Sequence, residues 1–444
     1  MPQELDKILI SHEQPDFPNK LGGFLNSKFG LSHFGMGASH IKNRRKVEEI
    51  LDEFVENENK VAEVLAKYTK MFDKVNLTPE QFRISKEDLE KAHAEISPDL
   101  LDSVRKAIGN VRRYQKEVFV GNNRDCTGST GIKYTPIKRV GICVPGASAP
   151  LPSTVIMCAV PAQVAGVKEI VVVSPPRYKD SIHPVTLAVC HELGIDEVYR
   201  VGGAQAIAVL TFENKTIKEV DKIVGPGNQW VQTAKQLVFG TVGIDSIAGP
   251  SEVLIIANDK ANPAWVAADM LSQAEHNPGC AFVFSTSQKV AGHVLEELKK
   301  QVVQLNRSKE TIECLKAHSG IAVFANMGDL IEKANEFTAE HLQIQCGEQS
   351  REIADKIENA GAIFIGDYSP VAVGDYWAGP SHTLPTGTTA KFFSPLSAND
   401  FIKSTSIIEY DKKKLAESAD DIIRLAEVEG LDAHAKSIRI RQQD

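Results

Sequence analysis

Gln273 and His276 stand three residues apart in "MLSQAEHNPG" (270–279), a stretch that reads as the end of a helix closed by the breaker pair Pro278 and Gly279. At that spacing an amide and an imidazole share one helix face. A divalent cation such as zinc accepts imidazole nitrogen, carboxylate oxygen and, more rarely, an amide oxygen. Asp375, in what reads as a strand-end turn "GDYW", could supply the carboxylate. Glu340 and His341 are adjacent at the start of a predicted strand "HLQIQ" and offer a base and an imidazole for proton transfer. Neighbours in a regular strand point to opposite faces, so a joint role predicts an irregular turn there. His382 in "GPSHTLPTG" and His434 in "EGLDAHAKS" are further candidates. Taken singly, each reads as a packed or solvated side chain, and the spacings alone do not make a metal site, because these residues are spread over a large part of the chain.

Three glycine-bearing turns each follow a predicted strand and open a predicted helix: "VPGASAPLPST" (144–154), "VGGAQAI" (201–207) and "VGPGNQW" (224–230). Such turns let backbone N–H groups and the helix dipole meet a phosphate. None matches G-x-G-x-x-G, and no acidic residue stands about 20 positions after the first, so ordinary tight turns are the competing reading. "AGPSEVLI" (248–255) by itself reads as a turn entering a buried strand.

The elements that must position these residues fall into zones. Residues 1–40 are polar, glycine-containing and without period, and read as an arm. Two charged helical segments dominate from about 43 to 117, with apolar residues at three- and four-residue spacing. From about 137, short β-branched runs ("RVGICV", "EIVVVS", "EVYRVG", "DKIVG", "EVLIIA", "AFVFS", "IAVFA", "AIFIGD") alternate with helical stretches, which predicts βαβ crossovers in mostly parallel sheets. Two Rossmann-like units with a boundary near 252 follow. The expected division is an N-terminal arm (1–40), a larger discontinuous α/β domain (41–140 with 253–396), a second Rossmann-like domain (141–252) and a mainly helical tail (397–444), which is too short for a core of its own and is expected to dock on something. With 444 residues, 42% of them hydrophobic, and a net charge of -8, the chain is expected to fold as several domains and to favour small molecules over nucleic acid. The absence of a signal-like or membrane-length apolar run, and seven scattered cysteines without a C-x-x-C pair, predict a cytoplasmic protein with reduced thiols.

In order along the chain, "GPGNQWVQTAKQLVFGTVGIDSIAGPSEVLIIAND", "DMLSQAEHNP", "AEHLQI", "GDYWAGPSHTLPTGTTAKFFSPLSANDF" and "EGLDAHAKSIRIR" resemble the histidinol dehydrogenase family over about residues 43–440. The resemblance implies a fold distantly like the aldehyde dehydrogenases and a zinc-dependent, four-electron oxidation of L-histidinol to L-histidine with two NAD+. The family's zinc ligands fall on Gln273, His276, Asp375 and His434, the last donated by the tail across a homodimer. Its general base and acidic partner fall on His341 and Glu340. Substrate contacts fall on Ser251, His382 and Glu429 together with His341 and the zinc ligands, and dinucleotide contacts on Gln205 and Asn228.

Two departures stand out. Cys143 in "GICVPG" occupies the place of a family tyrosine expected to meet the dinucleotide, and Ala339 replaces a proline before the Glu–His pair, which could loosen that turn. Three rival readings fit the same sequence. One is a paralogue acting with the same machinery on another small alcohol such as a sulfonated diol, another a thiol-dependent aldehyde dehydrogenase using Cys280, and the third a non-catalytic binding protein.

Overall fold

The β-branched runs pair into two wholly parallel sheets. In the smaller, Arg139–Cys143 is central, with Glu169–Ser174 and then Glu197–Arg200 on one side and Lys222–Val224 and then Gly243–Ile244 on the other. In the larger, Ser251–Ala257 is central, with Gly279–Ser285 and Gly320–Val323 on one side and Ala339–Gln345 and Ala360–Ile365 on the other. Counted along the chain, both wind in the order 3-2-1-4-5, so the α/β, doubly Rossmann-like expectation holds. Strands flanked by helices on both faces must be apolar throughout, and Val253, Leu254, Ile255, Ile256 and Ala257 are all fully buried.

This computed structural model describes residues 2–31, 38–121, 124–125, 128–146, 150–247, 249–276 and 278–442. Cys126, residues 147–149 of the first glycine turn, Ala248 and Asn277 lie outside them.

The N-terminal segment, expected as an arm, contributes to the core instead. Leu9–Ser11 adds a parallel edge strand beside Gly320–Val323, and Leu5, Ile8 and Ile10 are buried. The helical zone is more divided than its periodicity suggests, into Ala38–Glu56, Val61–Asp73, Lys86–Glu95 and Pro98–Val118. Val61–Asp73 buries Val64, Leu65 and Tyr68 in one cluster with Ile207 and Val209 of the helix Gly203–Thr211.

The chain divides into two compact units, residues 1–119 with 137–401 and residues 120–136 with 402–444. In the second, Ile402–Ile408 pairs antiparallel with Thr130–Pro136, so the mainly helical tail begins with a strand that its polar sequence concealed. The helices Lys412–Val428 and Asp432–Arg439 then pack through Ile423, Ala426, Ala435 and Ile438.

Candidate active site

The adjacent strands Ser251–Ala257 and Ala339–Gln345 are strands 1 and 4 of the larger sheet, and their leading ends carry the first group of candidates. Glu340 reaches across with one oxygen: Oε2 accepts the Glu252 backbone N–H at 2.7 Å and lies 3.0 Å from the Ser251 hydroxyl. The same hydroxyl lies 2.7 Å from Gln273 Oε1, so its single proton can serve either acceptor. His341 reaches the same residue, with Nδ1 2.9 Å from the Glu252 carbonyl, which makes Nδ1 the donor. Glu340 and His341 thus meet at the main chain of one residue, Glu252, with Oε2 3.4 Å from Nδ1.

This corrects the expected irregular turn. Ala339–Gln345 is a regular strand, with Ala339 opposite Ala360 and His341 opposite Ala362. The two side chains converge by wrapping around the neighbouring backbone. Nor does Ala339 loosen the entry, since it is 1% exposed and held in the ladder, and the left-handed Thr338 that precedes it donates its hydroxyl to the Asn335 carbonyl.

Gln273 is buried near the end of the helix Pro263–Ala274, and the exposed His276 follows, its N–H donating to the Gln273 carbonyl. Gly279 does not cap that helix, as the breaker-pair reading supposed. It opens the strand Gly279–Ser285, where a Cβ would stand 2.1 Å from the Gln273 carbonyl oxygen. Asp375 lies in a short helix, Val371–Tyr376, rather than in the expected strand-end turn, and its Oδ1 is 3.8 Å from His341 Nε2. Burial would raise the Asp375 pKa, yet His341, His382 and His276 hold it below the usual carboxylate range. Burial alone would lower His341, but Glu340 and Asp375 outweigh it and raise it to about 10. His382 is lowered by burial, with Asp375 only partly opposing. His341 Nε2 is buried without a hydrogen-bond partner.

Among the described residues no three His, Cys, Asp or Glu side chains gather as a metal centre. The set Gln273, His276 and Asp375 contains only two of those types and an amide. Its donors, one amide oxygen oriented beside Ser251, one imidazole and one carboxylate in a field of imidazoles, suit zinc and leave it a ligand short.

The segment 381–387 ties this centre to the smaller sheet. Ser381 donates to the Met157 carbonyl, Thr386 accepts from the Gly249 N–H, and the Gly387 N–H donates to Glu252 Oε1. The first and third glycine turns leave strands 1 and 4 of the smaller sheet, its switch point, where a ligand cleft is expected. Gly225, at φ +105, has no room for a Cβ, which would stand 2.3 Å from the Cys143 carbonyl oxygen. Cys143 itself, its thiol pushed up to about 12 by burial, lines a cavity of about 100 Å³ with Gly203, Gly227 and Asn228. A larger cavity of about 520 Å³ shares Gly203 and Asn228 with it and is also lined by Gln205, whose buried amide has no partner at either atom. Asn228 caps the helix Gln229–Val238, its Oδ1 accepting the Trp230 and Val231 N–H groups.

Glu429 and His434, both exposed, belong to the second unit, at the end of Lys412–Val428 and within Asp432–Arg439. Cys280 is fully buried within a core strand, which removes it as the nucleophile of a thiol mechanism. Glu252, whose N–H and carbonyl hold Glu340 and His341, carries no signal in the sequence because its contribution is main-chain.

Comparison with known proteins identifies the family. The profile of the family described as histidinol dehydrogenase matches residues 37–442. A histidinol dehydrogenase of Oceanobacillus iheyensis is 47% identical over 92% of this chain and 96% of its own. One of Rhodopirellula baltica is 46% identical over 86% and 83%. The crystal structure of histidinol dehydrogenase from Elizabethkingia anophelis superposes with a TM-score of 0.84 at 36% identity, covering 90% of this chain and 92% of that one. With nearly half the residues shared along almost whole chains, this protein belongs to the histidinol dehydrogenase family, a family of oxidoreductase enzymes.

Proposed function

We propose that the chain oxidises L-histidinol through L-histidinaldehyde to L-histidine, reducing two NAD+, at the end of histidine biosynthesis in the cytoplasm. The observation that carries this reading is the Ser251–Gln273–Glu340–His341 network around the main chain of Glu252, in a chain of this family. The working unit is a homodimer, with Gln273, His276 and Asp375 of one protomer and His434 of the tail of its partner holding zinc, and Glu429 of the tail joining Ser251 and His382 at the substrate. A larger domain (41–140 with 253–396) carries the reacting residues, a second (141–252) carries the dinucleotide, and the tail (397–444) completes a neighbouring site.

Bound zinc would fix the imidazole and amino nitrogens of the substrate and take up the Asp375 charge that helps keep His341 protonated. His341 receives the hydroxyl proton at Nε2, because Nδ1–H is committed to the Glu252 carbonyl. NAD+ would accept the hydride in each half-reaction, with Gln205 and Asn228 at its site and Cys143 beside it. Glu340 deprotonates the water that hydrates the aldehyde. Both its bonds fall on Oε2, which leaves Oε1 for that water. Burial excludes bulk water from both groups and strengthens each charge interaction.

The test is NADH counted against histidinol consumed, before and after dialysis with a chelator. Two NADH per histidinol, lost on chelation and restored by zinc, is the expected result. Oxidation of a sulfonated diol in preference to histidinol would replace the substrate and keep the chemistry. NADH formation that survives complete metal removal would overturn the zinc assignment.

A further inference from the structure

In parallel-sheet dinucleotide sites, an acidic residue at the end of the second strand accepts the adenosine ribose hydroxyls and selects NAD, whereas an arginine nearby accommodates the 2′-phosphate of NADP. The second strand of the smaller sheet, Glu169–Ser174, runs into Pro175, Pro176 and Arg177, so an arginine stands where the acid is expected. The carboxylate comes from elsewhere. Asp73, the last residue of the helix Val61–Asp73, accepts Arg177 Nε at 2.8 Å on Oδ1. Its side chain is 2% exposed and lines the 520 Å³ cavity, and its Oδ2 is buried without a partner. A buried, unpaired carboxylate oxygen is costly unless something donates to it.

Resting on the reading of this cavity as the dinucleotide site, we infer that Asp73 and Arg177 together set the choice of cofactor: Asp73 Oδ2 accepts the adenosine ribose hydroxyls, and Oδ1 withholds Arg177 from a 2′-phosphate. The cavity fits the adenosine end. Tyr68 and Phe72, with rings 5.7 Å apart and nearly parallel, line it with Trp230 and offer aromatic surface to a purine. Gly203 and Asn228, shared with the smaller cavity that continues to Cys143, place backbone N–H groups where the phosphates would follow. Asp73 lines the larger cavity, and its partner Arg177 lines both, so the pair stands where the adenosine ribose would join the phosphates. Glu49 also lines the cavity but is exposed, so its charge is screened by solvent.

The experiment titrates NADH and NADPH separately into the full-length protein without substrate, following nicotinamide fluorescence. In the parent, NADH binds more tightly. Asp73→Asn is expected to lower the ratio of the NADPH to the NADH dissociation constant about tenfold or more, through loss of a charged acceptor and release of Arg177. Arg177→Gln added to Asp73→Asn is expected to remove the gain in NADPH affinity. Asp73→Ser gives the same reading if the asparagine variant does not fold. A ratio that stays within about threefold of the parent in a folded Asp73 variant overturns the inference, as does a double variant that keeps the whole NADPH gain. Gln205→Leu separates this outcome from failure of the cavity assignment. If it weakens NADH binding while the Asp73 variants leave the ratio unchanged, only the selection role falls. If it leaves NADH binding unchanged, the dinucleotide reading of the cavity falls as well.

Discussion

Replacing Glu340 by glutamine removes one charge and keeps the shape of the network. An amide oxygen in the place of Oε2 can still accept from the Glu252 N–H and the Ser251 hydroxyl. A charge-assisted hydrogen bond is worth about twice a neutral one, so the loss is about 1 kcal/mol for each of the two. Burying a neutral amide instead of a carboxylate offsets most of that. The melting temperature should therefore fall by only a few degrees, about 1 kcal/mol or less in stability. The larger effect falls on His341. Its Nδ1 is 3.4 Å from the lost charge, an interaction on the order of 5 kcal/mol at an effective dielectric near 20, taken as an upper bound. His341 should thus titrate lower in the variant, and its readiness to accept the alcohol proton is kept or improved. Hydration of the aldehyde loses its base, which costs about a hundredfold or more. With histidinol, the variant should release one NADH quickly and the second slowly, with aldehyde captured by an added hydroxylamine in proportion to the first. Equal slowing of both half-reactions, or two NADH at the parent rate, would refute the division of labour between Glu340 and His341.

Cys143→Tyr should keep activity and tighten NAD+ binding by up to about 1 kcal/mol, read as a lower NAD+ Michaelis constant, because the residue lines a cavity next to the proposed dinucleotide site; a weaker NAD+ interaction would contradict this. Mixing His434→Ala with Gln273→Ala/His276→Ala protein by joint unfolding and refolding should restore a substantial fraction of activity, since a heterodimer collects all defects in one site; a mixture that stays inactive would place His434 in its own protomer's site. Glu192 is held at about 2 by Arg105, which donates at 2.8 and 3.0 Å, and by His93, against burial that would raise it. A depressed carboxylate stabilises the fold above its unfolded value of 4.5 and loses that contribution as pH falls toward 2. Glu192→Gln should therefore cost on the order of 1 kcal/mol at neutral pH, after solvent screening, and its denaturation midpoint should converge on the parent's between pH 4.5 and 2. A constant offset down to pH 2 would show that the pair is not the cause.

The two parallel sheets were legible because β-branched runs alternate with helical stretches at the spacing that crossovers require, and the shared 3-2-1-4-5 order then follows from winding each unit around its first strand. Leu9–Ser11 was not legible, since three residues carry no period and only Gly320–Val323 makes them a strand. Ile402–Ile408 was hidden by "KSTS", whose exposure is natural for an edge strand and whose pairing depends on Thr130–Pro136, some 270 positions earlier. The reacting residues were legible as types and order, but their convergence was not, because it runs through the main chain of Glu252.

That main-chain dependence follows from where the centre sits. In a parallel sheet, ligands are usually met at the trailing ends of strands, beside the loops that open helices, and the glycine turns of the smaller sheet obey this. The Glu340 centre lies at the leading ends of strands 1 and 4, where Glu252 precedes the pairing of the two strands, which begins at Val253 and His341, so that its N–H must find another acceptor. Glu340 supplies it to Glu252, and among the described residues no lysine or arginine bonds to this buried carboxylate. The strand's own N–H and the Ser251 hydroxyl solvate it instead. Both of these bonds fall on Oε2, which leaves Oε1 free to face the water of the hydration step. His341, one residue further along, then has the Glu252 carbonyl within reach, which fixes its tautomer with Nε2 turned toward Asp375. Acid–base pairing at this site is thus a consequence of strand register: moving Ala339–Gln345 by one residue against Ser251–Ala257 would leave the Glu252 N–H unpaired and turn His341 to the opposite face.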